Sequence, residues 1–154
     1  MGRLISVRFS LLVVFLSLSG IGAGLCCPLG WSSFDQHCYK VFEPVKNWTE
    51  AEEICMQQHK GSRLASIHGS EEEAFVSKLA SKALKFTSMW IGLNNPWKDC
   101  KWEWSDNARF DYKAWKRRPY CTVMVVKPDR IFWFTRGCEK SVSFVCKFLT
   151  DPAV

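Results

Sequence analysis

The spacing of hydrophobic side chains changes several times along the chain. A short apolar run, LLVVFLSL, occupies residues 11–18. Residues 47–61 and 70–85 place apolar side chains three and four positions apart, which predicts two helices. After an early strand-like YKVF, the later apolar positions come in short runs rich in aromatic and β-branched residues, which predicts strands: MWIGL, WEWS, CTVMVV, IFWFT and SFVCKF. Two early helices followed by a sheet predict an α+β domain.

Both predicted helices begin with a capping pattern. Thr49 is predicted to be the first N-cap, because Glu52 follows at the spacing of a capping box. Ser70 repeats the pattern before the second helix, and three glutamates then fill a first turn where they suit the helix dipole. Cys55 lies on the apolar face of the first helix and is expected to point into the core. Gly61 is predicted to stop that helix.

The N-terminal residues have the pattern of a secretory signal. Arg3 and Arg8 both precede the apolar run, which is too short to span a bilayer, and the small Ala23 ends the segment. We therefore predict a signal peptide at residues 1–23 and one domain at residues 24–154. A secreted, soluble chain of about 131 residues is long enough for a single core.

The chain has eight cysteines, all after the predicted signal. An exported protein meets an oxidising environment, so disulfides are expected. A zinc site fits poorly, because no C-x-x-C pair is present and the histidines do not cluster with cysteines. The adjacent Cys26 and Cys27 are not expected to pair with each other, so each needs a partner elsewhere. Six paired cysteines allow 15 connectivities, which spacing alone leaves open.

Charge gives a weaker signal. Without Arg3 and Arg8, 19 basic and 15 acidic residues remain, a net charge of +4. The run KAWKRRPY concentrates positive charge that could meet an acidic partner or heparin, or could be a solvated loop. Its basic residues, which we take as candidate partner contacts, are Lys113, Lys116, Arg117 and Arg118.

The sequence gives little support to an enzyme. It has no G-x-S-x-G or H-E-x-x-H motif, and its three histidines are scattered. The triplet Asn47-Trp48-Thr49 is an N-glycosylation sequon just before a helix, so Asn47 is predicted to carry a glycan. The alternative is an unused triplet, because Thr49 is also the predicted helix cap.

Several motifs together identify a resemblance to C-type lectin-like domains that covers residues 27–148. They are C-P-x-x-W at 27–31, W-x-x-A-E-x-x-C at 48–55, WIGL at 90–93, WSD at 104–106 and the three closing cysteines. More narrowly, the chain resembles the snaclecs of snake venoms, and most of all the β chains of convulxin-like platelet-active snaclecs. The segments that carry this narrower likeness are LLVVFLSLSG, HCYKVF and KDCKWEWSD. The implied fold has two helices, a small antiparallel sheet region and a projecting, domain-swapped loop.

The resemblance also implies how the cysteines pair. The implied intrachain bridges are Cys27–Cys38, Cys55–Cys146 and Cys121–Cys138. Cys26 and Cys100 are then left over. We predict that Cys100 joins an α-type partner chain and that Cys26 joins one heterodimer to the next, an arrangement that closes into a ring if the rotation between heterodimers permits. The alternative for Cys26 is a small-thiol cap.

Calcium binding is not expected, and no cofactor is predicted. Sugar-binding relatives use an E-P-N or Q-P-D triplet and a later W-N-D triplet, whereas this chain has KRRPY and Trp133-Phe134-Thr135. A second, structural calcium site of the family would fall at Ser66, His68, Glu72 and Lys147. A lysine ammonium at a ligand position repels the ion.

The resemblance implies a secreted, non-enzymatic toxin subunit. Its loop NNPWKDCKWEW would pack into the partner chain, with Trp97 and Trp102 as candidate subunit contacts. The heterodimer would bind a platelet receptor, glycoprotein VI or glycoprotein Ib, and modulate aggregation. The alternatives are a calcium-dependent sugar-binding lectin and a coagulation-factor-binding snaclec.

Overall fold

The computed structural model describes residues 27–95, 102–109 and 121–150. The predicted signal peptide, Cys26, Trp97, Cys100 and the basic run at 113–118 lie outside these residues. The helices are α1 (Trp48–Gln58) and α2 (Ser70–Ala83). The strands are β1 (Ser32–Phe34), β2 (His37–Lys46), β3 (Arg63–Leu64), β4 (Ser88–Asn94), β5 (Glu103–Trp104), β6 (Cys121–Val126), β7 (Ile131–Arg136) and β8 (Val142–Leu149).

The described strands form one mixed sheet in the order β1-β2-β8-β4-β6-β7, with β3 beside β8 and β5 beside β4. The α+β class is confirmed, and every described strand pair is antiparallel except one. β8 lies between β2 and β4, antiparallel to the first and parallel to the second, with Met89 opposite Ser143 and Trp90 opposite Phe144. β4 and β8 are not consecutive strands in the chain. The long connection that parallel strands require therefore exists between them.

The core has two clusters, because both faces of the central strands are covered. Along β4 the side chains alternate: Met89 and Ile91 belong to the cluster that packs against α2, and Trp90 belongs to the cluster that packs against α1. This two-sided burial explains why MWIGL is a continuous apolar run with no polar alternation. Neither described helix is long and apolar enough to cross a membrane.

Three disulfides join the elements. They are Cys27–Cys38, Cys55–Cys146 and Cys121–Cys138, the same pairs that the family resemblance implies. Cys55 is fully buried on α1, as its place on the apolar face predicts, and its bridge to β8 spans 91 residues of sequence. In the chain-entropy model, closing a loop of that length stabilises the fold by about 4–5 kcal/mol.

The N-cap of the first helix lies two residues before the predicted one. Asn47, not Thr49, is the N-cap: its Oδ1 accepts a hydrogen bond from the Glu50 backbone N–H at 2.9 Å, and the Glu50 carboxylate accepts one from the Asn47 backbone N–H at 3.1 Å. The shift has two physical causes. The Trp48 indole must reach the Ile91 carbonyl at 3.0 Å, which places Trp48 inside the helix. Glu52 is turned inward and accepts the Leu64 backbone N–H at 2.8 Å, so it is not free to cap.

The other helix boundaries also differ slightly from the predicted ones. α1 ends at Gln58, before the predicted stop at Gly61, because His59 is already extended. The N-cap of α2 is Gly69, with no side-chain cap bond, so the predicted cap at Ser70 is wrong by one residue. The three glutamates of its first turn are placed as the sequence predicts.

The cap at Asn47 can be separated from the sequon that shares it. Replacing Asn47 with Ala removes both, and we expect the free energy of unfolding to fall by about 1 kcal/mol because the Glu50 N–H loses its partner. Thr49→Ala removes only the sequon and should leave stability within a few tenths of a kcal/mol. Urea denaturation of both variants, made without glycan, provides the measurement. Equal stability of the two variants contradicts the assigned cap.

Candidate functional site

A lysine lies buried where β8, α2 and the segment after β3 meet. The Lys147 ammonium donates hydrogen bonds to the Ser66 carbonyl oxygen at 3.0 Å and to Glu72 Oε1 at 2.6 Å, and its Nζ lies 3.3 Å from Ser66 Oγ. The residue is only 6% exposed. A charge so far from water needs an opposite charge and hydrogen-bond acceptors, and these three oxygens supply them.

Glu72 is the counter-charge, and its carboxylate is fully used. The Tyr39 hydroxyl donates to Oε1 at 2.6 Å, and the His68 backbone N–H donates to Oε2 at 2.9 Å. Burial alone would raise the pKa of Glu72, but the charge of Lys147 and these hydrogen bonds outweigh it and hold the pKa below its usual range. Burial, together with the bond to Glu72, raises the pKa of Tyr39 well above its usual range.

We call Lys147, Glu72, Tyr39 and Ser66 the lysine cluster. Asp106 extends this cluster to the turn after β5. The Ser66 hydroxyl donates to Asp106 Oδ2 at 2.5 Å, and the Ala108 backbone N–H donates to Oδ1 at 2.9 Å. In the sequence, Asp106 stands out only as part of the WSD motif, and no pattern singles out Tyr39. Tyr39 follows Cys38 in β2. The residues next to it in the sequence do not indicate that it contacts a buried carboxylate.

The lysine cluster lies at the predicted position of the structural calcium site. Of the four residues assigned there, Ser66 and Glu72 both accept hydrogen bonds from Lys147, while His68 contributes its backbone N–H to Glu72. The donor set does not fit a calcium ion, because only one of the four assigned residues is a carboxylate and an ammonium lies among the oxygens. No group of three or more His, Cys, Asp or Glu side chains in the described ranges could hold a metal ion. That the chain binds no calcium stays a prediction.

The later half of the sugar-site position is apolar. Trp133 is buried in β7 and meets Trp104 edge to face, with ring centroids 5.9 Å apart. Phe134, at the position of the amide in sugar-binding relatives, packs against the cluster beneath α1. The earlier half of that position, at residues 116–120, lies outside the described residues.

Of the remaining candidates, only two lie in the described part of the chain. Asn47 is half-buried at the start of α1, and Trp102 is half-buried against the cluster beneath α2. The structure therefore neither joins Trp102 to Trp97 nor separates them.

Comparison with known proteins agrees with this geometry. The family model for the lectin C-type domain matches residues 45–148. A snaclec clone from Deinagkistrodon acutus is 74% identical over 96% of this chain and 94% of its own length. The chain belongs to the snaclecs. The delta subunit of rhodocetin from Calloselasma rhodostoma is 73% identical to this snaclec over 79% of the chain and 98% of that subunit.

Two solved structures compare with this snaclec at very different identities. A chain of EMS16, described as an antagonist of the collagen receptor integrin α2β1, is 99% identical, covers 80% of this chain and 100% of its own, and gives a TM-score of 0.67. A chain of the snake venom toxin convulxin is 32% identical, covers 82% of this chain and 99% of its own, and gives a TM-score of 0.62. The snaclec identification is confirmed.

Removal of the Lys147 ammonium should strongly destabilise the folded chain. Lys147→Met keeps most of the side-chain volume but leaves the Glu72 carboxylate buried without its counter-charge. We expect the free energy of unfolding at pH 7 to fall by about 3–5 kcal/mol, measured by urea denaturation. The exposed pair Lys140–Glu139, with 3.9 Å between Nζ and Oε1, provides the matched control. Lys140→Met should change stability by less than about 0.5 kcal/mol.

The same cluster sets a pH dependence. Because the pKa of Glu72 is lower in the folded chain than in the unfolded one, its contribution to stability is present above the unfolded pKa of about 4.3 and is lost as the pH falls through the folded value. Glu72→Gln should therefore flatten the stability curve in that acidic window. An unchanged slope would contradict the pairing of Glu72 with Lys147.

Proposed function

We propose that this snaclec is a secreted, non-enzymatic subunit of a disulfide-linked heterodimer that binds a platelet receptor and blocks it, and that the receptor is the collagen receptor integrin α2β1. The observation that carries the proposal is the 99% identity to a chain of EMS16, which is described as an antagonist of that integrin. Such identity leaves almost no substitutions with which to change a binding face.

Glycoprotein VI and glycoprotein Ib, the receptors that the resemblance to convulxin-like snaclecs suggests, are kept as alternatives. Convulxin is only 32% identical to this chain. At that identity most surface side chains differ, so receptor choice transfers poorly between the two proteins.

The described scaffold supports protein recognition that needs no calcium. The Lys147 ammonium supplies the positive charge at the calcium-site position, so this part of the fold does not need a bound Ca²⁺ ion. Phe134 and Thr135 in β7 offer neither the amide nor the carboxylate that a sugar-bound calcium requires. These two features disfavour the sugar-binding lectin and the calcium-linked binding of coagulation factors.

The assembly proposal concerns the two cysteines outside the three bridges. Cys100 would join the α-type partner chain, and Cys26 would join heterodimers into a larger ring. The delta subunit name of the rhodocetin relative supports a partner chain. A single heterodimer suits a receptor antagonist, whereas a ring would cluster receptors through multivalency. Lys113, Lys116, Arg117 and Arg118 stay candidates for steering association with the receptor.

The receptor proposal predicts a specific binding partner. The native complex should bind immobilised integrin α2β1 in a buffer with Mg²⁺ but no added Ca²⁺, and should block platelet adhesion to collagen. Surface plasmon resonance against the ectodomains of the integrin, glycoprotein VI and glycoprotein Ib separates the three receptors. Thr49→Ala, which removes the sequon but not the helix cap, is the control and should leave affinity within twofold. Binding to either glycoprotein alone rejects the integrin.

The two cysteines predict different products on non-reducing electrophoresis. Cys100→Ser should release free chains from the heterodimer in denaturant, because no other covalent link joins the pair. Cys26→Ser should convert any larger covalent species to a heterodimer. If Cys26→Ser leaves the covalent mass unchanged, the ring is excluded. If Cys100→Ser leaves the heterodimer covalent, the assigned link to the partner is wrong.

A further inference from the structure

Two exposed apolar side chains face one groove in the surface. Phe86, in the turn between α2 and β4, is 79% exposed, and Val45, near the end of β2, is 56% exposed. Both line a groove with a volume of about 280 Å³, and the buried residues Leu84 and Val142 complete its apolar lining. Single apolar side chains are common on protein surfaces, but two that share a concave site indicate a binding surface.

An irregularity of β2 forms one wall of this groove. Where β8 has only Ser143, the paired stretch of β2 has three residues, 43–45. The Ser143 hydroxyl donates a hydrogen bond to the Glu43 carbonyl at 2.7 Å, and the ring of Pro44 restricts the backbone, so the bulge is held in place. Bulges change the direction of side chains and are frequent beside functional sites. Here the bulge presents Glu43 and Val45 to the groove.

The charges at the groove favour an anionic ligand. Lys85 and Arg136 are exposed and line the groove, and neither has an ion pair or a side-chain hydrogen bond with any described residue. Glu43 is the only carboxylate among the lining residues that the structure describes, so two positive charges face one negative charge. A ligand with a carboxylate is therefore attracted more strongly than one with a cation.

The volume of the groove limits the size of the ligand. One water molecule takes up about 30 Å³ of liquid, so the groove has room for about nine waters. Sites that enclose a drug-sized molecule have volumes of about 300–1,000 Å³. This groove is slightly smaller than that range, and its wall includes exposed side chains. It suits one or two anchor side chains of a protein segment better than an enclosed small molecule.

We propose that this groove, which we name the bulge groove, binds a segment of a partner protein in which an acidic residue adjoins a bulky apolar residue. The apolar side chain packs between Phe86 and Val45. The carboxylate binds Arg136, whose guanidinium offers two parallel N–H donors to it. Lys85 follows the carboxyl end of α2, where its charge also offsets the helix dipole, so it acts mainly by longer-range attraction.

The bulge groove lies apart from the contacts proposed above. None of the residues proposed for subunit or receptor contacts lines it. The inference therefore goes beyond the proposed function and does not depend on which receptor this snaclec binds.

The first test identifies the chemistry of the ligand by selection. The native complex is immobilised and panned with a display library of random heptapeptides, and peptides that also bind a complex carrying Phe86→Ser are removed. The remaining peptides should carry Asp or Glu within two positions of Leu, Ile, Met or Phe. Remaining peptides without an acidic residue, or no remaining peptides, reject the proposal.

The second test measures the Kd of a selected peptide by fluorescence polarisation. Arg136→Glu should raise Kd about tenfold or more, because it replaces an attractive charge with a repulsive one. Glu43→Gln should lower Kd two- to threefold, because it removes a like charge. Both effects should shrink as the salt concentration rises. Leu29→Ser and Lys60→Glu change an exposed apolar residue and an exposed cation outside the groove, and they should leave Kd within twofold.

Other outcomes would overturn the assignment. If Arg136→Glu and Glu43→Gln leave Kd unchanged, the peptide binds elsewhere and the bulge groove is not its site. If Phe86→Ser lowers the urea midpoint of the complex, a segment of this chain or the partner subunit already covers the groove, and the proposal fails. A complex that binds selected peptides in the predicted way but does not bind the integrin rejects the proposed receptor alone.

Discussion

The ion pair between Lys147 and Glu72 is the interaction on which much of this fold depends. It joins the strand at the centre of the sheet to the first turn of α2, and through Tyr39 and Ser66 it reaches β2 and the segment after β3. Desolvating two charges is costly, so such a pair persists only where every remaining oxygen and proton has a partner. Here Tyr39, His68 and Ser66 supply those partners, and the result is a fixed junction among elements that are distant in sequence.

The ion pair and the longest disulfide act on the same strand from opposite faces. Cys146 and Lys147 are consecutive in β8, so their side chains point to opposite sides of the sheet. One is covalently bound to α1, and the other is ion-paired with α2. β8 is therefore held between the two helices, and the position of its neighbour β4 follows from that placement.

Much of this arrangement could be predicted from local sequence signals. The apolar runs located the helices and most strands, since each pattern depends on side chains a few positions apart. The cap at Asn47 was missed because Thr49 matches the same local rule equally well, and only the contact of Trp48 with Ile91 decides between them. The burial and the contacts of Glu52 and Glu72 could not be predicted for a similar reason, since their partners come from other elements. Family likeness, and no pattern in the chain, indicated the cysteine pairing and the place of Lys147.

The central position of β8 has a consequence for biosynthesis. It is the last of the described strands in chain order, yet it fills the gap between β2 and β4. Until β8 has been synthesised, both neighbours lack their hydrogen-bonding partner, and Cys55 lacks the Cys146 thiol. Contacts between such distant parts of a chain form slowly, and the incomplete sheet exposes edges that invite aggregation. The sheet and the bridge that ties α1 to it can therefore close only after β8 has been synthesised.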